Sequence, residues 1–282
     1  MKKILFPVLA VFVLFGALSI AVAAEEARLS ADVYVTVSDK DGNLALTQEK
    51  ITVTDVDSDN KLTVNDALYC AHEAKYEGGA AAGYASVESD YGLSLTKLWG
   101  TDNGGSYGYF INNVSAMGLT DEIKAGDYLN AFLYTDLVTW SDTYCFFDVN
   151  TKDVNVGDTV TLTLSAIEYD ADYNPITVPV ADADITINGK TTEYKTDAEG
   201  KATIQLDTEG NTIISASSTK MTLVPPVCNI VVSAVDTSGG SGITDENNEN
   251  SSMLIWVFVA VVIVAAVGAI VWGAMKKKSD EK

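Results

Sequence analysis

Two long apolar runs, one near each end, decide which part of this 282-residue chain is free to fold in water. Lys2 and Lys3 precede an almost wholly apolar stretch over residues 4–22, and the small residues Ala21, Ala23 and Ala24 offer an A-x-A-like cleavage site. That is the layout of a secretory signal (residues 1–24), with the mature chain expected to begin at Ala24 or Glu25. Residues 253–275 are uncharged and mostly apolar, and as a helix they reach about 34 Å, enough for a bilayer core. Trp256 and Trp272 lie near the two ends of this run, and Lys276, Lys277 and Lys278 follow at once. Positive charge directly after a span marks the cytoplasmic side. The expected topology is therefore a single-pass plasma-membrane protein. Its N-terminal domains lie outside the cell, and residues 276–282 form a short cytoplasmic tail. The chain between 25 and 236 is long enough for two small cores.

Setting aside the leader and the tail leaves 12 basic and 37 acidic residues outside the membrane, a net charge of −25. A surface of that sign has no natural affinity for nucleic acid, whose phosphates call for Lys and Arg. It suits a soluble exported protein that attracts cations.

The acids are not evenly spread. Residues 55–66 read DVDSDNKLTVND, with carboxylates at positions 1, 3, 5 and 12: Asp55, Asp57, Asp59 and Asp66. Calcium is a hard cation that takes six to eight oxygens, and a twelve-residue loop supplies them at this spacing. Position 7, Lys61, would give a backbone carbonyl, and position 9, Thr63, a side chain or a bridging water. Position 8 is Leu62, an apolar tie to the core. Empty, the loop carries a charge of −3 once Lys61 is counted, so its carboxylates repel one another unless a cation lies between them. The loop resembles an EF-hand, and more closely its dockerin variant, which ends in Asp. It departs from that pattern at Asn60, where the family has Gly, although Asn best tolerates a left-handed backbone among the other residues. It departs again at Ala67, where a large apolar side chain is usual. The resemblance implies a bound Ca2+ held by Asp55, Asp57, Asp59, Lys61, Thr63 and Asp66. The alternative is an acidic surface turn between a strand and a helix.

Around this loop the pattern alternates and then changes period. Residues 32–38 and 50–54 read as strands, the second running straight into the loop. Residues 65–76 read as a helix with Leu68, Ala71 and Lys75 on one face, ended by Gly78-Gly79. Residues 80–90 are small and polar, as in a loop. Residues 93–99, 107–112 and 128–134 read as further strands, with 144–149 closing the sheet. Tyr107, Tyr109, Ile111 and Asn112, followed by Gly126, Asp127 and Tyr134, resemble the Y-x-Y-x-(I/V)-N-G … GD pattern of the family similar to the transcobalamin carboxy-terminal domain. That resemblance covers about residues 30–148. It implies a β-grasp-like α+β domain over 25–149, with corrinoid capture as one associated function.

From residue 155 short strands recur every 8–12 residues with turns between them, which argues a β-sandwich over 150–236. Residues 196–206 (TDAEGKATIQL) resemble bacterial Ig-like repeats. Asp170, Asp172 and Asn174 look faintly like a second calcium loop, but with Pro175 and no acid at position 12 a hairpin turn is the better reading. Residues 237–252, rich in Gly, Ser, Asn and acids, read as a flexible linker.

Catalytic signatures are absent: there is no G-x-S-x-G, no H-E-x-x-H and no phosphate-binding glycine loop. The single histidine, His72, reads as a solvated helix residue. Three cysteines, Cys70, Cys145 and Cys228, cannot all pair within one chain. Cys145 with Cys228, or three free buried thiols, are equal readings. Aromatic residues cluster between 84 and 147, where they would form sheet core or stack a sugar or planar ligand; Tyr107, Tyr109 and Trp99 are the candidates for stacking. The expected function is a non-enzymatic, calcium-stabilised surface binding or adhesion protein. Its extracellular ligand would be a protein, a glycan or a corrinoid. The alternatives are a dockerin-like docking module or a corrinoid-capture protein.

Overall fold

Val33, Val35 and Val37 alternate along the first strand, and all three are fully buried, as a half-buried strand requires. The computed structural model describes residues 29–90 and 92–234. The expected signal, the linker, the membrane span and the tail lie outside them. Among the described residues no helix is long and apolar enough to cross a membrane. The described chain is mainly β.

Strand β1 (Ser30–Ser38) pairs antiparallel with β2 (Leu44–Thr54). Helix α1 (Val64–Lys75), a short α2 (Gly79–Gly83) and a hairpin of β3 (Ala85–Ser89) and β4 (Gly92–Lys97) follow. Then come β5 (Tyr107–Ile111), β6 (Val114–Ser115) and β7 (Tyr128–Leu133). The sheet order is β2-β1-β7-β5-β6, with β1 and β7 parallel at its centre. Helix α1 packs on β2 and β1 through Val64, Ala67, Leu68 and Ala71. His72 continues that face, fully buried, in place of Lys75, which pairs with Glu49 at 2.6 Å. The solvated histidine of the sequence reading is thus corrected. Residues 80–90, read as a loop, hold most of α2 and all of β3.

The second unit consists of β8 (Thr143–Phe147), β9 (Thr151–Asn155), β10 (Thr159–Tyr169), β11 (Pro175–Pro179), β12 (Asp184–Ile187), β13 (Lys190–Lys195), β14 (Lys201–Gln205), β15 (Gly210–Ser217), β16 (Leu223–Val224) and β17 (Cys228–Ser233). One sheet runs β11-β10-β8-β16 with β14 also on β10, and the other runs β13-β12-β15-β17-β9. Val160, Leu162 and Leu164 from the first meet Ile185, Ile214 and Ile230 from the second in one core. Each such side chain contributes about 1.5–3 kcal/mol relative to exposure.

The expectation that residues 144–149 close the first sheet is overturned. Strand β8 pairs with β10 and β16. A two-residue alternation fixes which faces a strand buries but not which sheet it joins. Tyr144 nevertheless lies on the first sheet, stacked 3.6 Å from Phe110 with the rings 3° from parallel. Its hydroxyl donates to Asn113 Oδ1 (2.9 Å) and accepts from Asn130 Nδ2 (3.0 Å). Phe110, Phe132, Tyr144 and Val224 thereby form a third apolar cluster joining the two sheet systems.

All three cysteines are free, with Cys145 and Cys228 buried in the sandwich core and Cys70 half-buried. Burial pushes the Cys228 thiol up to about 12 and that of Cys145 higher still. Because the thiolate is the reactive species, a thiol reagent is expected to modify only Cys70 on the native protein. Without reductant, it should titrate three thiols in guanidinium. One thiol in guanidinium instead of three would reveal a disulfide and contradict this arrangement.

Candidate functional site

Strand β2 ends at Thr54, and the acidic loop turns the chain into α1. Ser58 and Asn60 both adopt left-handed φ (65° and 64°), so Asn60 supplies the conformation that the family assigns to Gly. Asp55 organises the turn. Its Oδ1 accepts from the backbone N–H groups of Ser58 (2.6 Å) and Asp59 (3.2 Å), and its Oδ2 from that of Asn60 (2.9 Å). Burial opposes the Asp55 charge, but these donors prevail and hold the carboxyl below its usual value. Asp57 goes the other way: burial, then the neighbouring carboxylates of Asp66 and Asp59, keep it raised.

Asp55, Asp57 and Asp59 each bring one carboxylate oxygen within 4.8 Å of the others. Ligands around one calcium ion, each 2.3–2.6 Å from it, span no more than about 5 Å. The three carboxylates therefore fit one hard cation in both separation and chemistry. Asp66 is used differently. Fully buried, it accepts from Val56 N–H at Oδ1 (2.9 Å) and from Thr63 N–H and Thr63 Oγ1 at Oδ2 (2.8 and 2.7 Å). Thr63 in turn caps α1, its hydroxyl accepting from the Asp66 N–H, which makes a capping box. Lys61 turns its side chain away to Glu122 (2.9 Å). Of the six residues expected to hold calcium, the structure brings three carboxylates together and employs Thr63 and Asp66 as the helix cap.

Sequence reasoning missed the clamp on this corner. Ile123 N–H donates to Leu62 O, Val64 N–H to Asp121 O and Asn65 N–H to Leu119 O. No local pattern in residues 119–123 announces a partner nearly sixty positions away. Of the residues of the transcobalamin-like pattern, Tyr107, Tyr109 and Ile111 lie on β5, and Asn112, Gly126 and Asp127 form turns. Asn112 Nδ2 donates to Asp127 Oδ1 (2.8 Å), Tyr128 N–H donates to Asn112 Oδ1 (2.9 Å), and Gly126 holds φ +86°.

Trp99 packs with His72 and Tyr76 behind α1. Tyr107 and Tyr109 line a groove of about 410 Å³ between β5, the segment after β6, the loop before β8 and the end of β10. Trp140 and Tyr169, which the sequence did not single out, also line it.

No family model matches the chain, and no curated protein matches it. Among solved structures, it is similar to the D0-D1 domain of intimin, at 13% identity over 72% of this chain and all of that one, with a TM-score of 0.26. It is also similar to the N-terminal Ig1-2 module of the Drosophila receptor protein tyrosine phosphatase DLAR. There the identity is 15% over 53% of this chain and 74% of that one, with a TM-score of 0.23.

Proposed function

We propose that the chain is an exported, membrane-anchored surface binding protein. Its first unit is a β-grasp-like domain with calcium at the strand-to-helix corner, carried outward on an Ig-like sandwich and an acidic linker. The observation that carries this reading is the convergence of Asp55, Asp57 and Asp59 where β2 hands over to α1. The sheet order with β1 and β7 parallel at the centre, and α1 across β1 and β2, supports the β-grasp-like part. A cation at the corner would neutralise the three carboxylates. It would also fix the entry angle of a helix whose first turn is clamped by residues 119–123, and so fix the sheet that meets a ligand. The three carboxylates, the Lys61 carbonyl and water would complete its oxygen shell. The dockerin-like alternative needs a second loop. At the candidate position Asp170 Oδ1 accepts from Asp172 and Asn174 N–H, which closes the β10–β11 hairpin.

Affinity on the order of 10⁻⁴–10⁻³ M, as in extracellular modules, means that 10 mM calcium stabilises the fold by about 1.4–2.7 kcal/mol. That corresponds to about 3–10 °C in melting temperature for a domain of this size. Asp57→Asn is the diagnostic variant, because Asp57 has no role in the turn comparable to that of Asp55. It is expected to abolish the calcium-dependent rise. In chelator it should melt no lower than the unsubstituted protein, since it removes a repelled charge. Identical melting curves in 10 mM calcium and in chelator for the unsubstituted protein would end the calcium reading.

A further inference from the structure

Strands β5 and β6 are joined by a two-residue turn, Asn112-Asn113, with φ +50° and +64°. A tight hairpin of this kind needs left-handed backbone at both places, which Asn tolerates. The two amides are used differently. Asn112 spends both ends of its amide, donating to Asp127 Oδ1 and accepting from Tyr128 N–H. Asn113 spends one. Asn130 Nδ2 donates to the Tyr144 hydroxyl (3.0 Å), whose own proton goes to Asn113 Oδ1 (2.9 Å). That order of donors fixes the Asn113 amide, with its oxygen on Tyr144 and its nitrogen left over. Among the described residues Asn113 Nδ2 has no hydrogen-bond partner. The only buried side-chain nitrogen or oxygen without a partner there is Gln48 Oε1, so Asn113 Nδ2 reaches solvent.

Val114 and Ser115 follow, both exposed, Val114 by 69%. Together the three residues read Asn-x-Ser with x other than Pro, the acceptor pattern for an N-linked sugar. The pattern occurs twice in the sequence, and the second, Asn250-Ser251-Ser252, lies outside the described residues. The pattern alone carries little weight. At residues 113–115 the fold adds what the chemistry needs: a hairpin tip, an amide nitrogen in water and an exposed serine two places on.

We propose that Asn113 is an N-glycosylation site. The donor is an oligosaccharide on a polyprenyl diphosphate, transferred by a membrane enzyme where the chain is exported. Asn113 Nδ2 attacks C1 of the first sugar. The N–C1 bond forms as the C1–O bond breaks, the diphosphate leaves on the lipid, and one amide proton passes to a base of the transferase. Asn113 Oδ1 is untouched, so the Tyr144 hydroxyl keeps its acceptor in the product. The position also has a consequence for the sheet. Strand β6 is the last of its order and only two residues long, and Val114 and Met117 are exposed beside it. A hydrated sugar chain at the start of β6 obstructs the addition of a further strand. The proposal rests on the export part of the surface-binding reading and not on calcium.

The test is peptide mapping of the full chain isolated from the cells that make it. Trypsin releases residues 98–124, which contain Asn103, Asn112 and Asn113, and electron-transfer fragmentation assigns any added mass to one residue. The expected result is a sugar mass on Asn113 alone within this peptide, on a chain that begins at Ala24 or Glu25. In the same cells Ser115→Ala should lose the sugar and Ser115→Thr should keep it. Both variants retain Asn113 and its hydrogen bond to Tyr144, so the loss reports the acceptor pattern and not the turn. A bare 98–124 peptide on a chain with its leader removed would overturn the proposal and leave export standing. A bare peptide on a chain with its leader intact would overturn both. Sugar on Asn103, on Asn112 or on a hydroxyl, or sugar retained on Asn113 in Ser115→Ala, would also overturn the proposal.

Discussion

Replacing Asp66 with Ala is expected to lower the melting temperature by about 6–12 °C, and to do so in chelator as fully as in calcium. The size follows from what the carboxylate satisfies. Asp66 is fully buried and accepts from two backbone N–H groups and one hydroxyl, Val56 N, Thr63 N and Thr63 Oγ1. Truncation leaves two backbone donors without an acceptor at a buried corner, at about 1–3 kcal/mol each. It also dissolves a capping box worth about 1 kcal/mol. The lower end of that sum, about 3 kcal/mol, at about 2–4 °C per kcal/mol, gives the stated drop. The measurement is a pair of calorimetric melts, one in 10 mM calcium and one in chelator, for the unsubstituted protein, Asp66→Ala and Asp57→Asn. Asp66→Ala should lose the same amount in both media, while Asp57→Asn should lose only in calcium. A deficit for Asp66→Ala confined to calcium would mean that its carboxylate acts chiefly on the ion and not on the helix start.

That contrast marks how far the residues can be read without coordinates. A twelve-residue register of acids states where oxygens recur, and Asp55, Asp57 and Asp59 do converge. It does not state which oxygens backbone donors have already taken, and at Asp66 they have taken both. The same ambiguity runs through the other acids. Asp39, Asp170 and Asp197 each accept from the N–H groups two and four residues on. Part of the negative composition thus closes turns and carries no ligand. Alternation in β1 and β10 and the period of α1 were legible, because burial of one face dictates them. The sheet that β8 joins was not, since pairing depends on distant chain. The groove was not legible either. Trp140 sits among polar turn residues, and only the fold brings it to the same groove as Tyr169.

His72 is expected to make the fold sensitive to pH just below neutrality. Its Nδ1 lies 2.6 Å from Leu68 O, and its Nε2 accepts the Trp99 backbone N–H at 2.9 Å. The tautomer is therefore fixed, with Nδ1 carrying the proton. A second proton on Nε2 would set two donors against each other inside the packing of Tyr76, Tyr84 and Trp99. Burial lowers the His72 pKa, with the Leu68 carbonyl opposing in part. A folded pKa below the unfolded value of 6.5 means that His72 contributes its full stability above pH 6.5. That contribution shrinks as pH falls from 6.5 toward the folded pKa. Burial pushes the hydroxyl of Tyr84, which packs on His72, further up, so that ring stays neutral throughout this range. Asp57, held above the usual carboxylate value, works in the opposite sense, so the measurement needs a reference protein that keeps it. His72→Gln is that reference, and it removes the only histidine in the chain. It is expected to cost about 2–4 kcal/mol at pH 7.5, through lost packing and imperfect pairing of the Trp99 N–H. Between pH 7.5 and 5.5 the unsubstituted protein should lose stability relative to His72→Gln, so that the two melting temperatures converge. Parallel melting temperatures across those two pH units would show that His72 is not protonated on unfolding, and the buried neutral imidazole inferred from Leu68 and Trp99 would have to be given up.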